Sequence, residues 1–206
     1  MHCEILVEGQ SDLTTLSVLM PGIVGPYAQP HTWKIHQHRG AAQLLQTLPG
    51  KLRAYGKEMR SDEMVVVLVD LDDRADCRLF KQELVNLLET CQTRPVCLFR
   101  IAVEELEAWF LGDRAAVIAA YPHAQRAVLD AYIQDAQCGT WERLADAVHP
   151  GGMTTLGASG KRSPLVLHRK KMWARQIAPR MDVEKNLSPS FCCFRDGLRR
   201  YTTRSL

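Results

Sequence analysis

The sequence predicts an α/β fold, a mainly parallel sheet flanked by helices with a helical C-terminal extension, and three observations point that way. Met64-Val65-Val66-Val67-Leu68-Val69 is a continuous, largely β-branched run, the pattern of a central parallel strand covered on both faces. Strand-like segments alternate with segments of helical periodicity over the first half of the chain. At 206 residues, with 46% hydrophobic and 24% charged residues, the chain can bury a sizeable core.

Taken in order, Cys3–Val7 reads as a short strand ending at Glu8-Gly9. Ser11 is placed to cap a helix from about Asp12 to Met20, which Pro21-Gly22 should stop. Residues 26–30 read as loop, and Thr32–Gln37 alternates like a half-exposed strand. A helical stretch follows Gly40, from about Ala41 to Arg60, with a break expected at Pro49-Gly50. The apolar run 64–69 ends in Asp70-Leu71-Asp72-Asp73. Asp76 to Thr90 carries apolar residues at helical spacing, Pro95 to Val103 returns to strand, and Glu104 to Leu111 to helix. Ala115 to Val148 reads as two or three helices and Gly151 to Gly160 as a flexible loop. Ser163-Pro164 opens a basic helix reaching about Ile177, before a loop and a short tail. The expected division is an α/β core over 1–113 and a helical, basic region over 114–206 packed on it, or one continuous domain.

No apolar run approaches the roughly 20 residues that cross a bilayer. The opening residues lack the basic and apolar regions of a signal peptide, so the expectation is a cytoplasmic protein with no membrane partner. Its seven cysteines, without a CxxC pair, are expected to be reduced and mostly buried. Net charge is only +3, but its distribution is uneven. Residues 62–107 are rich in acids, whereas 161–204 carries a dozen lysines and arginines. That asymmetry suits a protein that holds a cation and draws a polyanion towards it.

Ligands of parallel α/β sheets bind beyond the carboxyl ends of the strands. Glu8 follows the first strand there, and Asp70 and Asp72 follow the central one. Alternation along an extended chain would turn Asp70 and Asp72 to one side. Carboxylates gathered there repel one another once dehydrated, and hard oxygen donors of this kind suit Mg²⁺ or Mn²⁺. The alternative is that acids follow strands as turn formers and helix caps, which explains Asp73 and Asp76 better. A phosphatase of the haloacid dehalogenase type would need Thr or Val where Arg74 stands. His36-x-His38 is given no role, and Leu106, Trp109 and Phe110 are spaced as a core stripe.

Val7-Glu8-Gly9-Gln10-Ser11-Asp12, followed some sixty residues later by Val67-Leu68-Val69-Asp70-Leu71-Asp72, resembles the Toprim domain, and more narrowly that of overcoming-lysogenization-defect nucleases. The segment from Ile101 to Asp113, with Ser159-Gly160-Lys161-Arg162 and Ser188-Pro189-Ser190-Phe191, resembles the Toprim-like family DUF4276. The resemblance touches the whole chain at the level of motifs. It implies a Toprim/Rossmann-like sheet in which Glu8 is the general acid or base and also a metal ligand. Asp70 and Asp72 would hold the ion, Asp12 would add a ligand, and Glu105 and Glu107 are candidates for a second ion. In a regular helix residues two apart diverge by about 200°, so both can face one site only if the helix begins after Glu105. Glu104 is expected to face solvent. Lys161 and Arg162, after a flexible loop, would close over a scissile phosphate, with Arg169, Lys170, Arg175 and Lys185 on flanking phosphates.

The implied activity is a metal-dependent nuclease, acting as the effector of a separate ABC-type ATPase in a phage-defence-type system. The chain itself has no GxxxxGK[ST] loop, the spacing from Gly157 to Lys161 being too short. A non-catalytic binding or regulatory subunit and a metal-dependent phosphatase or nucleotidyl transferase are the alternatives, and homo-oligomer formation is left open.

Overall fold

The computed structural model describes residues 1–157, 160 and 163–204. Four strands, β1 (His2–Val7), β2 (Thr32–Gln37), β3 (Glu63–Asp70) and β4 (Cys97–Ala102), form a wholly parallel sheet in the order β2-β1-β3-β4. The α/β class expected from the apolar run holds, with β3 interior to the sheet and buried from Met64 to Val69. The chain leaves β1 for one edge and β3 for the other. Strand order therefore reverses between β1 and β3, the place where a crevice opens above the sheet.

Strand alternation divides two cores. Cys3, Ile5 and Val7 with Met64, Val66 and Leu68 face one side, and Leu6 with Val65, Val67 and Val69 face the other. The second side is covered by α2 (Ala41–Glu58), through Leu44, Leu48 and Leu52, and by α3 (Cys77–Glu89), through Phe80 and Leu84. The first side is larger. It packs α1 (Gln10–Val24), α4 (Glu107–Leu111), α5 (Arg114–Ala120), α6 (Arg126–Ala131), α7 (Thr140–Val148), α8 (Gly152–Leu156), α9 (Pro164–Ile177) and α10 (Pro189–Arg204) into one apolar cluster. Residues before and after 113 share that cluster.

Several local readings change. Gly9, not Ser11, precedes the first turn of α1, and Asp12 Oδ2 accepts the Gly9 N–H at 2.8 Å. Pro21 and Pro49 lie inside α1 and α2 instead of ending or breaking them. Buried Met20 and Ile23 flank the first and Leu48 and Leu52 the second, so packing of the apolar face outweighs the one backbone hydrogen bond each proline removes. The 151–160 stretch, expected as loop, contains α8. The expected short tail is α10, whose first turn is capped by Ser188, with Oγ accepting the Phe191 N–H at 3.2 Å. The seven cysteines are free, but only Cys3 and Cys91 are fully buried, while Cys138 and Cys193 are exposed. Among the described residues, no helix is long and apolar enough to cross a membrane.

Trp109 joins the site-bearing segment to α10. Its ring meets Phe191 edge-on at 5.3 Å and Phe194 at 5.1 Å, and its Nε1–H donates to Ser190 Oγ at 3.0 Å. Asn186 completes the joint, donating to the Trp109 carbonyl at 2.7 Å and accepting the Ser188 N–H at 2.9 Å. Gly112 lies so close that an added Cβ would stand 2.2 Å from Asn186 Oδ1. Gly112→Ala should therefore lower stability by about 1–3 kcal/mol, read as a lower denaturation midpoint. Gly50→Ala, where an added Cβ has nothing within 4 Å, should not lower it.

Candidate functional site

Glu8 and Asp70 meet at the reversal of strand order. The Asp70 N–H, at the end of β3, donates to Glu8 Oε1 at 2.9 Å, which ties the end of β1 to its neighbour by a side chain after the ladder has ended. Asp12, buried in the first turn of α1, has its Oδ2 on the Gly9 N–H. Beyond β4 the chain follows β3 for two more hydrogen bonds, Leu71 N–H to Ala102 O at 2.9 Å and Asp72 N–H to Glu104 O at 2.8 Å. That extension brings Glu105 and Glu107 beside Asp70.

Asp72 does not follow the alternation expected of it. β3 ends at Asp70, and Asp72 has φ 51°, a left-handed turn conformation that Asp tolerates better than most residues. Its charge still acts on Glu8. Glu104, with φ 59°, is not simply solvent-facing. Its carboxylate accepts N–H groups from Gly139 at 2.9 Å and Thr140 at 2.8 Å, and the Thr140 hydroxyl, so it serves the start of α7.

Helix α4 begins only at Glu107, so the condition for Glu105 and Glu107 to share a site is met. Both carboxylates face the same ammonium. Lys170 of α9 donates to Glu105 Oε2 and, at 3.3 Å, to Glu107 Oε2. Its side chain is 12% exposed and theirs 2%, so the group is a buried ion triad. Lys170, expected on the nucleic-acid face, is turned inward because it lies on the apolar stripe of α9 with Val166, Trp173, Ala174 and Ile177. Glu142 of α7 is a neighbour that sequence reasoning missed. Its Oε2 is buried without a hydrogen-bond partner, and the charges of Glu105 and Glu104 act on it.

The crowding shows in the proton affinities. Burial pushes the Glu8 carboxyl up to about 8, with Asp12 and Asp72 adding to the rise and the Asp70 N–H and Arg74 opposing it. Burial raises Asp12 to about 6 against the Gly9 N–H and Lys170. Asp70 is raised well above the carboxylate range by burial and by the charges of Glu8, Asp12, Glu105 and Glu107. Burial lifts Glu107 to about 7 against the pull of Lys170. Burial alone would depress the Lys170 ammonium, but Glu107 and Glu105 outweigh it and hold its proton firmly.

A divalent cation fits this chemistry, since the donors are hard carboxylate oxygens in negative excess. The carboxylates are not a ready-made cage. Among the described residues no three or more His, Cys, Asp or Glu side chains are gathered for a metal. The Asp70 and Gly9 N–H groups and Lys170 hold oxygens of Glu8, Asp12, Glu105 and Glu107.

The other basic candidates are dispersed. Lys161 and Arg162 lie outside the described residues. Arg169 is half-buried with its Nε shut from solvent and without a hydrogen-bond partner, Arg175 is exposed, and Lys185 pairs with Asp182 at 3.2 Å. Much of the basic third is structural. Arg195 holds Asp196 and the Val183 carbonyl, and Arg199 holds Glu184 with the Gly22 and Ile23 carbonyls.

Set beside known families, residues 7–199 match the profile described as Domain of unknown function (DUF4276). The chain belongs to the DUF4276 family. The match runs from the end of β1 to within α10, so every acid of the cluster falls inside the family domain. No curated protein and no solved structure matched the chain.

The raised carboxyls of this DUF4276 domain set the sign of a pH dependence. Between the ordinary carboxylate value of 4.5 and the folded value of about 8 for Glu8, the unfolded chain has released a proton that the folded chain still holds. Their contribution is thus complete below 4.5 and lost as pH rises through about 8. Glu4, lowered despite burial by its hydrogen bonds to His36 and His2, acts the opposite way but below that window. The melting temperature of metal-free protein should fall by about 5 °C or more across the window, and Glu8→Gln should flatten the fall in a thermal scan.

Proposed function

We propose that this DUF4276 protein is a Toprim-like, metal-dependent nuclease that cleaves phosphodiester bonds in nucleic acid. The observation that carries the reading is the meeting of Glu8 and Asp70 at the reversal of strand order, with Asp12, Asp72, Glu105 and Glu107 in electrostatic reach. Glu8, Asp12, Asp70 and Asp72 would hold Mg²⁺ or Mn²⁺, which when bound polarises the phosphodiester and neutralises charge developing on its oxygens.

Glu8 is suited to hold or move a proton at its carboxyl oxygens, because its raised affinity for the proton lies near neutrality. The Asp70 N–H fixes one Glu8 oxygen and so orients the other. Arg169 and Arg175 on α9, together with Lys161 and Arg162, would grip the phosphate backbone on either side. A separate ABC-type ATPase, which this chain's own sequence cannot replace, would control the nuclease as in a phage-defence-type system.

One observation favours a second reading, a non-catalytic Toprim-like binding subunit. Several site carboxylates have N–H or ammonium partners supplied by the chain itself. Incubation of purified protein with Mn²⁺ and a panel of DNA and RNA substrates separates the two. Cleavage should appear and fall by about a hundredfold or more in both Glu8→Ala and Asp70→Ala. Cleavage that neither change reduces, or none on any substrate, would sink the nuclease reading. Mononucleotide phosphate release without strand scission would point to a phosphatase instead.

A further inference from the structure

The geometry points to Lys170 as a built-in cation that takes the place of a second divalent ion, leaving a site that binds one ion at Glu8, Asp12, Asp70 and Asp72 and none at Glu105 and Glu107. This inference rests on the proposed metal-dependent reading and settles which acids serve the ion. Two acids adjacent in the sequence pattern and both 98% shielded are what a second ion would need. An ammonium already stands between them.

Four features hold the ammonium there. Lys170 is anchored on the buried stripe of α9, between Val166 and the Trp173–Ala174 pair. An ammonium has three N–H donors, and here two of them are directed to carboxylates. The same charge also acts on Asp12 and is acted on by Asp70, so the ammonium serves the ion-holding acids as well as its own two. Trp141 closes the near side, its ring centre 5.9 Å from Nζ. A divalent ion entering between Glu105 and Glu107 would meet a positive charge already paired with both carboxylates and largely shielded from solvent. The second positive charge at the site therefore comes from the chain, and Lys170 is a positioning residue for Glu105, Glu107 and their neighbours.

Calorimetric titration of metal-free protein with Mn²⁺ tests the assignment without reference to activity. The wild type should bind one ion. Lys170→Gln, checked by circular dichroism to be folded, should bind a second, because it removes the ammonium that stands between two buried carboxylates. Glu107→Gln should still bind one ion with affinity within about threefold of wild type, whereas loss of a true ligand or its support costs about tenfold or more. Two ions in the wild type, no second ion in folded Lys170→Gln, or an affinity loss of about tenfold in Glu107→Gln would each overturn the inference. The Glu107→Gln arm stands even if Lys170→Gln does not fold. No ion in the wild type would instead remove the metal-dependent reading itself.

Discussion

Carboxylates crowded at the ends of parallel strands are the constraint around which the rest of this protein is arranged. Parallel strands deliver their last residues to one edge of the sheet, so acids placed after β1, β3 and β4 are brought together by topology. Burying them costs free energy that grows with each neighbour. The structure answers with backbone N–H groups for Glu8 and Asp12 and with a lysine for Glu105 and Glu107. What remains uncompensated is seen in the raised proton affinities of Glu8 and Asp70.

The two sides of the sheet divide the labour accordingly. The α2–α3 side is a plain apolar layer, closed by leucines and valines. The other side carries eight of the helices and the acids, and α1 crosses it with Asp12 at one end and the Arg199 clasp at the other. Trp109, two residues beyond Glu107, packs against Phe191 and Phe194, so the acid-bearing turn is fixed by the last helix of the chain. That explains why the segment from Ile101 to Asp113 is apolar around its acids: Leu106, Trp109 and Phe110 bury as the stripe predicted.

Much of this was legible in the residues because local pattern and tertiary role agree. The apolar run of β3, the alternation of β2 and the Ser163-Pro164 opening of α9 each carry their own signal, and each element stands where its pattern puts it. Pro21 and Pro49 misled because proline reports only the lost backbone bond, not the apolar packing that outweighs it. Ser188-Pro189 repeats the signal of Ser163-Pro164, and Phe191, Phe194 and Leu198 follow at helical spacing, so α10 was readable. Glu8 and Asp70 were visible from strand ends, and Asp12 came only with the family resemblance. Lys170 was read by charge alone, although its spacing from Val166 and Trp173 places it on a buried stripe. Glu142 gave no signal, since nothing local relates α7 to the strand ends.

The position of Lys170 along the chain gives the acids an order of assembly. A ribosome completes the sheet and every carboxylate of the strand-end group by residue 107, but the compensating ammonium is sixty-odd residues away, on a helix that docks against α1. Until that helix is made, Arg74 acts on Glu8 but Glu105 and Glu107 lack their ammonium, and the strand ends favour protonated or solvated carboxyls over packed ones. The acids of this group are thus made well before the lysine that pairs with two of them. The ammonium arrives only with α9, so a chain truncated before that helix carries the acids without their lysine partner.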